Sequence, residues 1–335
     1  MLQGKATWTF KNPPVIVSTG TVGGPFEEQG NIADDFDLFF SDQWMEEKSF
    51  EQAHSHLIEE ASTIALKKAN VSKDKVNFFL HGDLINQITP TNFAARELKI
   101  PYLGLFSACA TSMEGLAISS LFVSEGNADY ALTGAASHNS AAERQFRYPT
   151  EYGSQKPDTS QWTVTGAGMA LVAKDGEGPR VTSATIGKVI DEGMTDPFNM
   201  GGAMAPAAFD TITQHFNDRN VDETYYDLII TGDLAKYGRL ICLDLFSKNQ
   251  RPIDESKFKD CGLMVYKDDQ SVFAGASGPA CSAIVTYGHL LKKLMKNEYQ
   301  RILVVATGAL LSPLTVQQKQ SIPCIAHAVS IENLS

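Results

Sequence analysis

Two rhythms of apolar and polar positions run along this chain, and both of them repeat. Residues 51–69, "EQAHSHLIEEASTIALKKA", place apolar or small residues at helical spacing. The following "KVNFFLHGDL" is a short apolar run closed by a Gly-Asp turn, the pattern of a buried strand. Residues 207–234, "AAFDTITQHFNDRNVDETYYDLIITGDL", give helix, polar turn and apolar strand again, and the Gly-Asp-Leu returns. Gly82-Asp83-Leu84 and Gly232-Asp233-Leu234 stand 150 residues apart, as do Asn70-Val71 and Asn220-Val221. Thr133-Gly134-Ala135 and Thr307-Gly308-Ala309 each close a further helix-strand unit, with the offset grown to 174. Self-similarity at so long a period predicts a duplicated domain rather than a solenoid.

Each half therefore reads as strand, helix-strand, a second helix-strand and closing strands, among them "WTVTGAGMALVAKD" at 162–175. Alternating helices and buried strands predict α/β layers with helices covering the sheet faces. The stretch "GEGPRV" marks the crossover, which divides the chain into halves 1–178 and 179–335. In open α/β sheets the ligand site lies at the carboxyl ends of strands, here where the halves meet.

Composition narrows the function classes. Lys plus Arg is 28 against 39 Asp plus Glu, a net charge of −11 with no basic run, which argues against nucleic-acid binding. The five cysteines, Cys109, Cys242, Cys261, Cys281 and Cys324, are scattered and never paired as CxxC. That spacing fits neither the usual zinc sites nor a disulfide framework, and it predicts a reducing, intracellular compartment. The N-terminal "MLQGKATWTFKNPP" lacks the apolar stretch of a signal peptide, and runs such as "ILVVATGALL" are too short to span a membrane, so the expectation is a soluble chain. "GTVGGP" at 20–25 is not followed by the Lys-Ser/Thr of a P-loop, and "DEGMTDPF" at 191–198 lacks the carboxylate spacing of a calcium loop. No cofactor and no protein metal site is expected.

The candidate chemistry centres on "GLFSACATSMEGLAISSLF", residues 104–122, where Cys109 precedes a buried helical pattern. A cysteine at the first turn of a helix lies near backbone N–H groups and the positive end of the helix dipole, which favour a thiolate and accept an anion. By itself the segment is equally compatible with a small, buried apolar residue.

With its duplicated halves and "SACATSMEGLA" at the second helix of the first, the chain resembles the thiolase and ketoacyl synthase superfamily along nearly its whole length. More narrowly, "FSACATSMEGLA", "WTVTGAGMALVAKD", "TGDLAKYGR" and "SIPCIAHAVSIE" resemble the stage V sporulation protein AD family of endospore-forming bacteria. The resemblance implies a thiolase-like layered αβαβα sandwich of two duplicated halves. It implies a protein of the developing spore that binds dipicolinic acid, a pyridine dicarboxylate, and takes part in its uptake. It also implies membrane-embedded partner subunits and a homodimer, located in the forespore and attached to its membrane through those partners.

In the superfamily the matching cysteine takes up an acyl group, helped by a His and by a second His or Asn. Acyl transfer needs such groups to move protons and to hold an oxyanion. The residue matched to the first His is Gly232, and Val272 or Ala276 matches the second, so the expectation is a fold that kept its shape and lost its chemistry. The "GASG" of 275–278 matches the thiolase turn and places Gly275, Ala276 and Ser277 at the site. Matching Phe106 with Phe273 sets Cys109 opposite Ala276. His54, His56, His215 and His289 fall on predicted helices as solvated or packing residues, His81 ends a strand, and His327 reads as a core histidine. His138, after the strand "ADYALTGAAS", is the histidine expected to line the pocket.

A planar dicarboxylate calls for amide donors and an arginine. Helix-end amides near Cys109, Ala110 and Thr111 supply the first, and Arg144 and Arg147 in the insertion "HNSAAERQFRYPTEYGSQKPDTSQW" supply the second. The same insertion suits a dimer contact, and calcium enters as a chelate of the ligand. The competing expectation is an active acyltransferase or ketoacyl synthase that uses Cys109 with a partner such as His138.

Overall fold

A computed structural model describes residues 1–146 and 156–334. The first half runs β1 (Leu2–Gln3), β2 (Thr7–Thr9), β3 (Val15–Gly23), β4 (Leu38–Phe39), α1 (Phe50–Ala69), β5 (Phe78–Gly82), α2 (Thr89–Leu98), β6 (Tyr102–Gly104), α3 (Thr111–Ser124), β7 (Tyr130–Ser137), α4 (Asn139–Phe146), β8 (Trp162–Thr163) and β9 (Gly166–Ala173). The second continues with β10 (Arg180–Ile186), α5 (Met200–Arg219), β11 (Leu228–Thr231), α6 (Ala235–Lys248), β12 (Phe258–Asp260), β13 (Ala276–Ser277), α7 (Pro279–Ile284), α8 (Leu291–Met295), β14 (Arg301–Ala309), α9 (Pro313–Gln317) and β15 (Cys324–Glu332).

The repeated Asn-Val pairs are helix stops. Asn70 ends α1 and Asn220 ends α5, each in the left-handed conformation that asparagine tolerates. The amides of Val71 and Val221 then reach back to Leu66 O and Phe216 O. The helix starts match as well, since Ser49 accepts from Gln52 N and Asn199 from Gly202 N. Identical punctuation 150 residues apart gives the two longest helices the same place in each half.

The strands repeat the pattern. One half has the order β6-β5-β7-β9-β3 and the other β12-β11-β14-β15-β10, and the two sheets meet at Arg180↔Val15. The N-terminal β2 pairs with β10 of the second half, so the first residues cross the boundary between halves. Helices α3 and α7 lie between the sheets, where Ser112 Oγ meets Ser282 Oγ at 2.6 Å, while α1 covers the outer face of β3 and β9 and α5 that of β14 and β15. The result is the layered αβαβα sandwich.

Of the helical histidines expected as solvated or packing residues, His54 and His215 pack in the core, and His327 is the core histidine expected. His54, His81, His138, His215 and His327 are all buried. Burial holds the rings neutral, pushing His54, His138 and His327 down to about 4 and His81 and His215 to about 3. His215 accepts from or donates to Thr185 Oγ1 at 2.7 Å and Tyr226 Oη at 2.6 Å.

Each such ring is neutral in the fold and charges on unfolding below pH ~6.5, so the stability it allows is complete above that pH and lost as the pH falls. For His54 the loss at pH 5 is about 2 kcal/mol relative to pH 7.5. His54→Phe is therefore expected to gain about that much on the parent between pH 7.5 and pH 5 in urea unfolding. An unchanged pH difference between the two proteins contradicts the assignment of a neutral, buried His54.

Candidate functional site

The chain leaves β6, passes Phe106, which is half exposed, and turns sharply into α3 with Cys109 in the turn. The turn needs Ala108 at φ +49°, a conformation that costs a non-glycine residue about 1 kcal/mol or more. Thr111 holds it, its hydroxyl donating to Ala108 O at 2.7 Å and accepting from Ser107 N at 3.1 Å. Gly308 of β14 lies directly beneath, where a Cβ would come within 2.2 Å of Ser107 O. The Thr-Gly-Ala repeat thus has a structural reason in the second half: only glycine lets the strand approach the Cys109 turn.

The amides expected to bind an anion are mostly spent on this geometry. Ala110 N bonds to Ser107 O at 2.9 Å and Thr111 N to Ala108 O, and both residues are fully buried. They set the position of Cys109, and among these elements it is Cys109, 7% exposed, that retains access.

Opposite the thiol stands a residue that the sequence reading passed over. Gly232 packs so tightly on Ala306 and Thr307 that a Cβ would come within 2.9 Å of Thr307 N, which leaves no space for a side chain. The next residue, Asp233, brings its carboxyl to the thiol of Cys109. Asp233 Oδ2 accepts from Gly278 N at 3.0 Å and Ser277 Oγ at 3.1 Å, and Oδ1 accepts from Thr307 Oγ1 at 2.9 Å. The site therefore does have a titratable partner for Cys109, where the sequence comparison expected none. The recurring Gly-Asp-Leu was the available signal. In the first half the equivalent Asp83 accepts from Ile85 N, Thr91 N and Thr91 Oγ1 and holds the start of α2, at a pKa raised by burial to about 6.

Electrostatically the pair opposes a thiolate. Burial pushes the Cys109 thiol far up, and the Asp233 charge and its hydrogen bond push it further, against a smaller pull from Gly278 N and the Ser277 hydroxyl. Burial also raises Asp233, against the four donors it receives, and Asp260 behind it is held at about 7. A protonated histidine would stabilise a thiolate here; a carboxylate does the reverse.

Of the other expected site residues, Gly275, Ala276 and Ser277 do come to the site. β13 pairs with β8, and Gln161 Nε2 ties Ala276 O (3.1 Å) to Asp233 O (2.7 Å). His138 is elsewhere engaged: Nε2 donates to Gln43 O at 2.8 Å, Nδ1 accepts from Ala141 N, and the ring stacks on Phe50. Both nitrogens are thus taken up within the core. Arg144 lies on the exposed side of α4, and Arg147 falls outside the described residues. Lys156 is bound through both oxygens of Glu143, each at 2.9 Å.

A cysteine in a strained turn at a buried helix start, between two halves of like topology, is set in a thiolase-like fold. The structure superposes on 3-oxoacyl-[acyl-carrier-protein] synthase III of Aquifex aeolicus with a TM-score of 0.59 at 14% identity, covering 96% of this chain and 100% of that one. On cerulenin-bound OleA of Xanthomonas campestris the TM-score is 0.62 at 15% identity, covering 97% and 98%. The chain belongs to the stage V sporulation protein AD (SpoVAD) family, whose model matches residues 4–332. It is 51% identical over 331 residues to stage V sporulation protein AD of Bacillus subtilis, covering 99% of this chain and 98% of that protein.

Proposed function

We propose that this sporulation protein is a non-catalytic member of its fold class that binds dipicolinic acid beside Cys109 and supports its uptake into the developing spore. The observation that carries the reading is the Cys109–Asp233 pair, which keeps the thiol protonated where acyl transfer needs a thiolate. Cys109 then serves as a small, neutral wall of the site. Arg144, exposed on α4, is the cation this reading assigns to a second carboxylate.

The buried Asp233 makes a pH dependence unavoidable for an anionic ligand. Burial favours its protonated form, which does not repel a carboxylate, so affinity is expected to fall as the pH rises and Asp233 ionises. The experiment is calorimetric titration of the folded protein with dipicolinate. Cys109→Ala is expected to bind within a few-fold of the parent and Cys109→Phe not to bind, with affinity falling as the pH is raised. Equal affinity for both variants would place the ligand away from Cys109.

The same reading includes a homodimer and membrane-embedded partner subunits. The outer edge of β6 has no strand beside it among the described residues, and Leu103 on β6 and Phe93 on α2 are exposed. An uncovered, apolar edge strand invites pairing with a second copy. Leu103→Lys is expected to shift the protein toward monomer in sedimentation velocity; an unchanged sedimentation coefficient rejects this edge as the contact. Among the described residues no helix is long and apolar enough to cross a membrane, which accords with attachment through partners.

A further inference from the structure

Where the two halves meet at the surface, the fold leaves a cleft of about 570 Å³ lined by none of the residues around Cys109. One wall comes from the first half, Phe26 and Gln29 after β3 and Trp162 of β8, and the other from the segment 267–271 of the second. Both walls are fixed by hydrogen bonds. Gln270 reaches across with its side chain, Nε2 donating to Phe26 O at 2.9 Å while Oε1 accepts from Lys267 N at 2.9 Å. Beneath them Tyr266 Oη donates to Glu27 Oε1 at 2.5 Å, and Asn31 Nδ2 donates to Tyr266 O at 2.7 Å. The cleft is therefore formed before anything enters it, with the size and the place between two structural units that small-molecule sites favour.

The lining combines an aromatic shelf with one charge of each sign. The rings of Phe26 and Trp162 pack with centroids 5.2 Å apart on the first wall, and the second presents Lys267 and Asp269, both exposed, with Ser271 beside them. Neither charged side chain has an ion pair or hydrogen bond among the described residues. Lys156 Nζ, 5.8 Å from the centroid of the Trp162 ring, is already bound by Glu143 and adds no net charge, and Asp268 does not line the cleft. A ligand bearing a carboxylate alone meets Asp269, and one bearing an ammonium alone meets Lys267. A flat apolar body with both charges suits the whole lining. We infer that this cleft is a second ligand site, for a zwitterion with an aromatic body, the chemistry of a free aromatic amino acid. Lys267 and the Ser271 hydroxyl would donate to its carboxylate, Asp269 would accept from its ammonium, and the ring would lie on Phe26 and Trp162. Gln29 Nε2 is spent on Pro25 O at 3.2 Å, which leaves Oε1 as a further acceptor for the ammonium. The inference does not rest on dipicolinate binding beside Cys109.

The test is calorimetric titration of the whole chain with L-phenylalanine, with phenylpropionate, which lacks the ammonium, with phenylethylamine, which lacks the carboxylate, and with N-acetyl-phenylalanine amide, which lacks both charges. Phenylalanine is expected to bind at millimolar concentration or below, and each of the others at least about fivefold more weakly. Lys267→Gln should weaken phenylalanine about fivefold and strengthen phenylethylamine, while Asp269→Asn should weaken phenylalanine equally and strengthen phenylpropionate. Both substitutions fall on exposed side chains, and thermal unfolding checks that the fold is kept. Cys109→Phe should bind phenylalanine as the parent does, which separates this cleft from a site beside Cys109. No heat with phenylalanine, equal affinity for the charged and capped compounds, binding unchanged in both charge variants, or loss of phenylalanine binding in Cys109→Phe overturns the inference. Each of these results leaves the dipicolinate reading to its own titration.

Discussion

Cys109 is expected to remain a free thiol after prolonged exposure to acyl-CoA or acyl carrier protein substrates, and to alkylate far more slowly than an exposed cysteine at pH 7.5. The nucleophile in acyl transfer is the thiolate. Burial and the Asp233 carboxyl both disfavour it, and the helix-end amides that would compensate are bonded within the turn. Asp233→Asn removes the negative charge but keeps the shape. Whatever fraction of Asp233 is ionised opposes the thiolate, so that variant is expected to react with iodoacetamide faster than the parent, provided access to the thiol is unchanged. Intact-mass spectrometry after timed quenching reads both outcomes. Stoichiometric acylation of the parent that disappears in Cys109→Ser, accompanied by turnover, would support the acyltransferase reading instead.

The second large effect is expected from a single methyl group beneath the Cys109 turn. Gly308→Ala puts a Cβ 2.2 Å from Ser107 O and 3.3 Å from Cys109 N, contacts that β14 relieves only by moving away from the turn. Overpacking of this kind typically costs about 1–3 kcal/mol, and here it falls on backbone rather than on a side chain that can swing aside. Gly308→Ala is therefore expected to lower stability by about 2–3 kcal/mol in urea unfolding and to abolish dipicolinate binding even where the protein stays folded. Gly126→Ala, where no atom lies within 4 Å, tests a left-handed glycine without a clash and should leave binding unchanged. Loss of binding in both variants would show that the turn is not the sensitive element.

The duplicated architecture was legible because its punctuation is chemical. Asn-Val at 70 and 220 became the two helix stops, and Thr-Gly-Ala at 133 and 307 fell in the interior strands β7 and β14. The site was half legible. Cys109 stood out, since a small-residue turn opening a buried helix is visible in one dimension. Asp233 did not, because Gly-Asp after an apolar run has the same pattern as an ordinary turn, and its burial comes from Gly278, Ser277 and Thr307 in distant segments. The positive φ of Ala108 leaves no trace in the sequence, since it is imposed by Thr111 and the close approach of Gly308. For His54 and His215 the choice between solvated and packed stayed open, because helical periodicity fixes which residues share a face while the packing of α1 and α5 decides which faces are covered.

Binding without acylation is the central claim, and one titration addresses both parts. The folded protein is titrated calorimetrically with dipicolinate, then challenged with an acyl-CoA, and the mass of the chain is measured. Saturable heat with dipicolinate, absent in Cys109→Phe, and an unmodified Cys109 after the acyl-CoA challenge are the predicted results. No heat with dipicolinate, together with a stable or turning-over acyl adduct on Cys109, would contradict the account.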